Sequence, residues 1–350
     1  MRPTPALLTL LCAAAATLFA GCASAPATPT PKTFAIAIHG GAGTLSKNTP
    51  PERRKEYEDA LAAALTYGRD RLALGDSALD VCESVVRILE DDPRFNAGKG
   101  AVYNEQGQHE LDASIMDGST LRCGAVAGVR TVRHPVSLAR LVMEKTRHVL
   151  LVGDGAEKFA DGQNIERVPN DWFDTDQRRK QLDEALKERA SKGLSAAATA
   201  AAAAAAGPDA PPSDRRLDYG TVGCVALDAQ GRLVAATSTG GMTAKRWGRV
   251  GDAPVIGAGN YADRFVAVSC TGTGEQFLRH VVAKSISARV EFGGTSLDEA
   301  VRALVDRTLE PGDGGVIAVD RFGNLVARFN SEGMYRGLAD ASGRFEVGIF

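Results

Sequence analysis

A threonine that follows a glycine at the head of an apolar strand becomes a candidate nucleophile if the chain is cut in front of it. One stands at Tyr219-Gly220-Thr221-Val222-Gly223, directly after the alanine- and proline-rich stretch 195–213. That stretch offers little to bury and its prolines interrupt a helix, so it reads as a surface segment able to swing away after cleavage. Threonine is also a common strand residue, and a plain strand threonine would give the same pattern. Other chemistries find less support. The five histidines are scattered, no H-E-x-x-H pair or P-loop occurs, and Gly272-Thr273-Gly274 is followed by Phe277 where a dinucleotide fingerprint needs a third glycine. No Ser/His/Asp arrangement is recognisable. Cys82, Cys123, Cys224 and Cys270 lack C-x-x-C spacing and sit among apolar neighbours. They read as buried small hydrophobes, with one or two disulfides open if the protein is exported.

The elements that must carry these residues follow from composition and periodicity. The chain has 350 residues, 44% hydrophobic and 24% charged, enough for a sizeable core in one large domain or two ordinary ones. A net charge of −2 provides no basic field for nucleic acid, and 6% aromatics with 38 glycines favour tight turns over a base-stacking platform. Phe34–Ile38 reads as a strand running into a turn at His39-Gly40-Gly41-Ala42-Gly43. Two amphipathic helices follow, over Glu52–Leu74 and from Ser77, with Val81, Val85, Ile88 and Leu89 on one face of the second. Short apolar runs at 125–129, 149–152, 222–227, 233–237, 266–269, 316–319 and 325–329 read as strands. Two pairs share a pattern, with Gly231 and Gly323 as their turns, and read as hairpins. Ser296 with Glu299 makes a capping box for a helix through Leu309. The expected architecture is helices packed on largely antiparallel sheets.

The first residues read as a leader. Arg2 precedes an apolar run, Ala6–Ala20, that is short for a membrane span and ends in small residues, as in a secretory signal. Leu18-Phe19-Ala20-Gly21-Cys22 is similar to the lipobox of bacterial lipoproteins, which makes 1–21 a signal peptide, Cys22 a lipidated N-terminus and 22–33 a tether. A conventional cut after Ala23-Ser24-Ala25 is the alternative. The first reading places the protein in the periplasm, lipid-anchored to the outer membrane, with no other membrane contact.

Taken together, several motifs are identified as those of the plant-type L-asparaginase and isoaspartyl peptidase family. They are Thr221–Asp228, Thr237-Ser238-Thr239-Gly240-Gly241-Met242-Thr243, Gly248-Arg249-Val250-Gly251-Asp252, Gly257-Ala258-Gly259 and Ser269-Cys270-Thr271-Gly272-Thr273-Gly274-Glu275. The His39 turn, Phe95-Asn96-Ala97-Gly98, Glu110–Gly118, Gly312–Gly315 and Glu332–Gly337 follow the family order too. The resemblance implies an N-terminal nucleophile hydrolase of α+β class, a four-layer αββα sandwich. It is made as a precursor that cleaves itself at Gly220-Thr221 into an α subunit, 34–220, and a β subunit, 221–350, forming one fold. The freed α-amine has a reference pKa of about 7.7–8.0 and lies on the residue that bears the hydroxyl, so Thr221 would be nucleophile and base together.

By the same resemblance Thr239 tunes that amine, Arg249 binds a substrate α-carboxylate, Asp252 binds the α-ammonium, and Thr271 with the Gly272 amide forms the oxyanion hole, with Gly274 offering a carbonyl to the ammonium. Leu89–Lys99 resembles a loop that binds a structural sodium through main-chain groups of Leu89, Glu90, Asp92, Phe95, Ala97 and Lys99, and Lys99 either weakens that loop or points to solvent. Catalysis needs no cofactor. The implied substrates are β-aspartyl dipeptides and L-asparagine, and the implied assembly is a dimer of αβ heterodimers. Glycosylasparaginase is an alternative that usually has Asp-Thr at the cut, where this chain has Gly220-Thr221. A non-catalytic exported binding protein of the same fold is another.

Overall fold

The computed structural model describes residues 33–43, 46–191 and 220–350. The leader, nearly all of the tether and the stretch 195–213 lie outside the described residues. An eight-stranded sheet contains β1 (Ala35–Ala42), β2 (Leu111–Asp117), β3 (Arg122–Val129), β4 (Leu150–Val152), β5 (Val222–Leu227), β6 (Leu233–Thr239), β11 (Met334–Asp340) and β12 (Phe345–Gly348), in the order β12-β11-β1-β5-β6-β2-β3-β4. A second sheet has the order β10-β9-β8-β7, from β7 (Asn260–Ala262), β8 (Val266–Gly272), β9 (Gly314–Asp320) and β10 (Leu325–Phe329). Among the described strands, β3 and β4 make the one parallel ladder.

Both sheets are covered. Because successive strand residues point to opposite faces, Ile36 and Ile38 of β1 meet Leu61 and Leu65 of α1 (Pro51–Ala73) and Val81 and Val85 of α2 (Ala78–Glu90). Ala35 and Ala37 face the other way, into a core between the sheets with Val225, Ala235, Ala267 and Ile317. On the outer face of the small sheet, Val268 and Val316 pack against Ile286 of α7 (Val282–Glu291) and Val301 and Leu304 of α8 (Leu297–Val305). The result is the four-layer αββα order. Strands buried on both faces read as continuous apolar runs, which is why β5 and β9 were legible. The remaining helices are α3 (Pro135–Lys145), α4 (Gly153–Asp161), α5 (Asp176–Ser191) and α6 (Gly274–His280).

Two local expectations change. His39–Ala42 is not a turn but the continuation of β1, paired with β11 as His39↔Arg336 and Gly41↔Tyr335 across a register shift that accommodates Gly40. A bulge re-aims a strand while keeping it in the sheet, which sends Gly41 and Ala42 toward the head of β5 and β8. The capping box is half made: Ser296 accepts from the Glu299 N–H, but the Glu299 carboxylate turns to Arg307, and α8 ends at Val305 rather than Leu309. Ser77 caps α2 as expected, and Gly231 and Gly323 both hold positive φ in their hairpins. All four cysteines of the body are free, three of them buried.

Candidate active site

The β5–β6 ladder begins at Val222↔Ser238, so Thr221 stands just ahead of it and Thr239, the last residue of β6, lies alongside. The Thr221 hydroxyl donates to Thr239 Oγ1 at 3.3 Å. The Thr239 hydroxyl in turn donates to the Gly220 carbonyl at 2.9 Å and accepts from the Gly241 N–H at 2.9 Å. Asn96 Nδ2 donates to the same Gly220 carbonyl at 2.9 Å and to the Gly241 carbonyl at 2.7 Å, while its Oδ1 accepts from the Val102 N–H. The carbonyl ahead of Thr221 therefore carries two buried donors, the arrangement that stabilises negative charge developing on oxygen. Asn96 was only part of a matched motif in the sequence; nothing in its neighbours says that its amide reaches residue 220.

The bulged end of β1 joins this group to β8. A Cβ at Gly41 would lie 3.3 Å from the Thr221 nitrogen, and the Ala42 N–H donates to Thr271 Oγ1 at 3.2 Å. With that lone pair occupied, the Thr271 hydroxyl keeps its proton to give. Gly272 follows at φ +150°, where a Cβ would stand 2.0 Å from the Asp313 carbonyl, so the close passage of β8 beside the next loop requires glycine.

Arg249, Asp252 and Gly274 converge as well. A Cβ at Gly274 would lie 2.7 Å from Arg249 Nη2 and 3.0 Å from Asp252 Oδ1, and one at Gly241 would lie 3.5 Å from Arg249 Nη1. Gly241 thus borders both the threonine pair and the guanidinium. Arg249 makes a bidentate pair with Glu275, at 2.9 and 3.0 Å, a partner that sequence reasoning did not single out. Asp252 Oδ2 is buried and has no hydrogen-bond partner among the described residues. Burial pushes the Asp252 carboxyl up to about 7, against the pull of Arg249. Such a group is poised for a cationic partner.

The loop from Leu89 to Lys99 reaches the Gly220 carbonyl through Asn96. A Cβ at Gly98 would lie 2.2 Å from the Glu90 carbonyl oxygen, and one at Gly100 2.2 Å from that of Phe95 and 2.5 Å from that of Pro93. Main-chain oxygens thus turn inward around two glycines, the donor type that suits a hard cation. No cluster of three or more His, Cys, Asp or Glu able to hold a metal occurs among the described residues. Lys99 does not point to solvent: its ammonium donates to the Trp172 carbonyl and lies 4.7 Å from the centre of the Trp172 ring.

Two facing sheets within helical layers, with Thr221 ahead of a central strand and Thr239 at the end of the neighbouring one, are the arrangement of an N-terminal nucleophile hydrolase. Residues 32–349 match the family model described as Asparaginase, and the chain is an enzyme belonging to that family. It is 50% identical to the isoaspartyl peptidase of Salmonella typhimurium over 319 residues, covering 90% of this chain and 98% of that one. The isoaspartyl peptidase of Escherichia coli is 48% identical over 90% of this chain and 95% of its own length. The isoaspartyl peptidase/L-asparaginase of Rattus norvegicus is 42% identical over 93% of this chain and 92% of its own.

Proposed function

We propose that the chain cleaves itself at Gly220-Thr221 and then hydrolyses β-aspartyl dipeptides and L-asparagine to release L-aspartate. The observation that carries this reading is the Gly220 carbonyl held by Asn96 and Thr239, with the Thr221 hydroxyl hydrogen-bonded to Thr239. As Thr221 Oγ bonds to the Gly220 carbon, its proton passes to Thr239 Oγ and the Thr239 proton passes to the carbonyl oxygen. Collapse breaks the C–N bond, the nitrogen takes a proton and becomes the amine of Thr221, and water opens the ester to leave a carboxylate on Gly220. A cavity of about 310 Å³ beside Gly220, lined in part by Arg53, Arg94 and Arg178, gives that carboxylate room.

In the cleaved enzyme the Thr221 amine takes the hydroxyl proton as Oγ attacks the substrate side-chain carbonyl, and Thr271 with the Gly272 amide faces the oxyanion. Arg249 pairs with the α-carboxylate, and Asp252 and the Gly274 carbonyl with the α-ammonium. Both ends are satisfied only when the aspartyl residue is linked through its side chain. An α-linked peptide brings no α-carboxylate to the guanidinium, which then keeps Glu275 as its partner, so the substrate forgoes a charge-assisted contact of about 1.5–3 kcal/mol. β-Asp-Leu should be turned over and α-Asp-Leu should not. Comparable rates on the two would overturn the pocket assignment.

The Gly220-Thr221 junction favours this reading over glycosylasparaginase, and a denaturing gel separates it from a non-catalytic binder: wild type gives fragments 22–220 and 221–350, Thr221→Ala a single inactive band. A sodium ion on the carbonyls around Glu90, Phe95 and Ala97 would serve to fix the loop that carries Asn96. Pairing of two αβ units is read by the mass of the native particle. No helix among the described residues is long and apolar enough to cross a membrane. Anchoring through Cys22 on the periplasmic side is tested by fractionating Cys22→Ser beside wild type, and equal solubility removes the anchor.

A further inference from the structure

A line of polar side chains crosses the otherwise apolar core between the sheets. His39 in β1 is fully buried; its Nδ1 lies 2.9 Å from the Thr221 carbonyl oxygen and its Nε2 lies 2.8 Å from Ser269 Oγ in β8. Ser269 Oγ lies 2.7 Å from Thr237 Oγ1 in β6. Asn260 Nδ2 in β7 donates to Thr237 Oγ1 at 3.3 Å and to the Ser114 carbonyl at 3.2 Å.

The protons at the imidazole end of this line follow from its acceptors. A carbonyl oxygen only accepts, so His39 Nδ1 carries a hydrogen. Burial pulls the imidazole down to about 3, so the ring is neutral and Nε2 is bare. Ser269 then donates to Nε2 and accepts from Thr237 at 2.7 Å, a shorter contact than the 3.4 Å from Thr237 Oγ1 to the Gly259 carbonyl, and Thr237 accepts from Asn260. The room for this line is built in: a Cβ at Gly223, next to the nucleophile's strand head, would stand 2.3 Å from His39 Nε2 and 2.1 Å from Ser269 Oγ.

The position of the line gives it a use. Thr221 lies ahead of the β5 ladder, so its carbonyl is held by the imidazole instead of by a strand partner. Once its nitrogen is released from Gly220, that carbonyl contact holds the main chain of the new chain end, while Thr239 holds its hydroxyl. Ser269 is two residues before Thr271 on β8, so the same imidazole spans the distance between nucleophile and oxyanion donor. We propose that His39, as a neutral Nδ1–H tautomer oriented by Ser269, is a positioning residue that clamps the Thr221 main chain and holds it in register with Thr271. The proposal rests on the reading of Thr221 as nucleophile.

The test uses the mature, cleaved enzyme. Imidazole nitrogen shifts of the wild-type protein at neutral pH should give His39 as Nδ1–H with a bare Nε2; an Nε2–H tautomer or a doubly protonated ring overturns the proposal. His39→Phe keeps bulk and removes both hydrogen bonds. It should lower kcat on β-Asp-Leu 10- to 100-fold with KM within about threefold of wild type, because Arg249 and Asp252 are untouched. Ser269→Ala should lower kcat 3- to 10-fold in the same direction, and it serves if His39→Phe does not fold. Wild-type kcat in a folded, cleaved Ser269→Ala or His39→Phe enzyme overturns the positioning role, whatever happens to Tm. Thr221→Ala distinguishes the two ideas: residual activity there refutes the nucleophile, whereas its inactivity beside an altered kcat in the His39 variant supports both.

Discussion

Asn96 and Asp252 each place a side chain where charge must change during the reaction. Asn96 Nδ2 is one of two donors on the Gly220 carbonyl, so Asn96→Ala removes half of the stabilisation available to the oxygen as Thr221 attacks. Loss of one such donor typically costs a factor of about 10²–10³. The variant should accumulate as uncut precursor, and a time course of band intensities on a denaturing gel measures the rate; wild-type cleavage would remove Asn96 from the mechanism. Asp252 titrates at about 7 in the free enzyme because burial penalises its charged form. Only the ionised carboxylate balances a substrate ammonium, so kcat/KM should fall as pH drops through about 7. Asp252→Asn should lose this component and weaken binding by about 1.5–3 kcal/mol, seen chiefly in KM. The Thr221 amine contributes its own acid limb, which the variant retains in kcat.

Among the elements, the end of α2 shows how a helix, a loop and a strand are tied together. Helix α3 starts behind His134, which provides no side-chain cap, and its Val136 N–H is instead received by Glu90 Oε1 at 3.1 Å. The same oxygen accepts from Ser238 Oγ at 2.6 Å, next to Thr239. Burial pushes the Glu90 carboxyl up to about 8, so it is neutral at pH 7. Glu90→Gln keeps an acceptor oxygen for both donors and should change stability by less than about 1 kcal/mol, whereas Glu90→Ala orphans two buried donors at about 1–3 kcal/mol each. Thermal melts of the two variants beside wild type measure the contrast, and equal destabilisation would show that the carboxyl geometry is irrelevant. None of this was legible in the chain. Helix α2 was, because Ser77 and the spacing of Val81, Val85 and Leu89 are local signals, and so were the two hairpins through Gly231 and Gly323. Strand β2, which carries Asp112 and Asp117, and β11, interrupted by Arg336 and Gly337, show no clean alternation and passed only as motif matches. Asn96, Glu275 and His39 act through partners at least 26 residues away, and their pairing is a property of the fold. The motif resemblance brought Thr221, Arg249 and Asp252 together where spacing did not.

At the scale of the whole molecule, the order of strands decides what cleavage does to the particle. In the large sheet β1 lies between β11 and β5, and β2 lies against β6, so strands from before and after residue 220 are interleaved. The segment 221–350 supplies all of the small sheet, while the helices that cover the large one, α1, α2 and α3, come from before the cut. Neither piece has a closed core alone: release of 34–220 would strip β5 of β1 and expose Val222, Cys224 and Ala226, now buried in the core beneath α2. The ladders and apolar contacts across the cut outnumber the one peptide bond lost, and the inter-sheet core is shared by both pieces. The cleaved protein should therefore elute from a sizing column as one particle in native buffer, separate into two bands only in denaturant, and melt in one cooperative transition. Dissociation of the two pieces in native buffer, or two separate melts, would mean that the interleaved sheet does not hold the halves together.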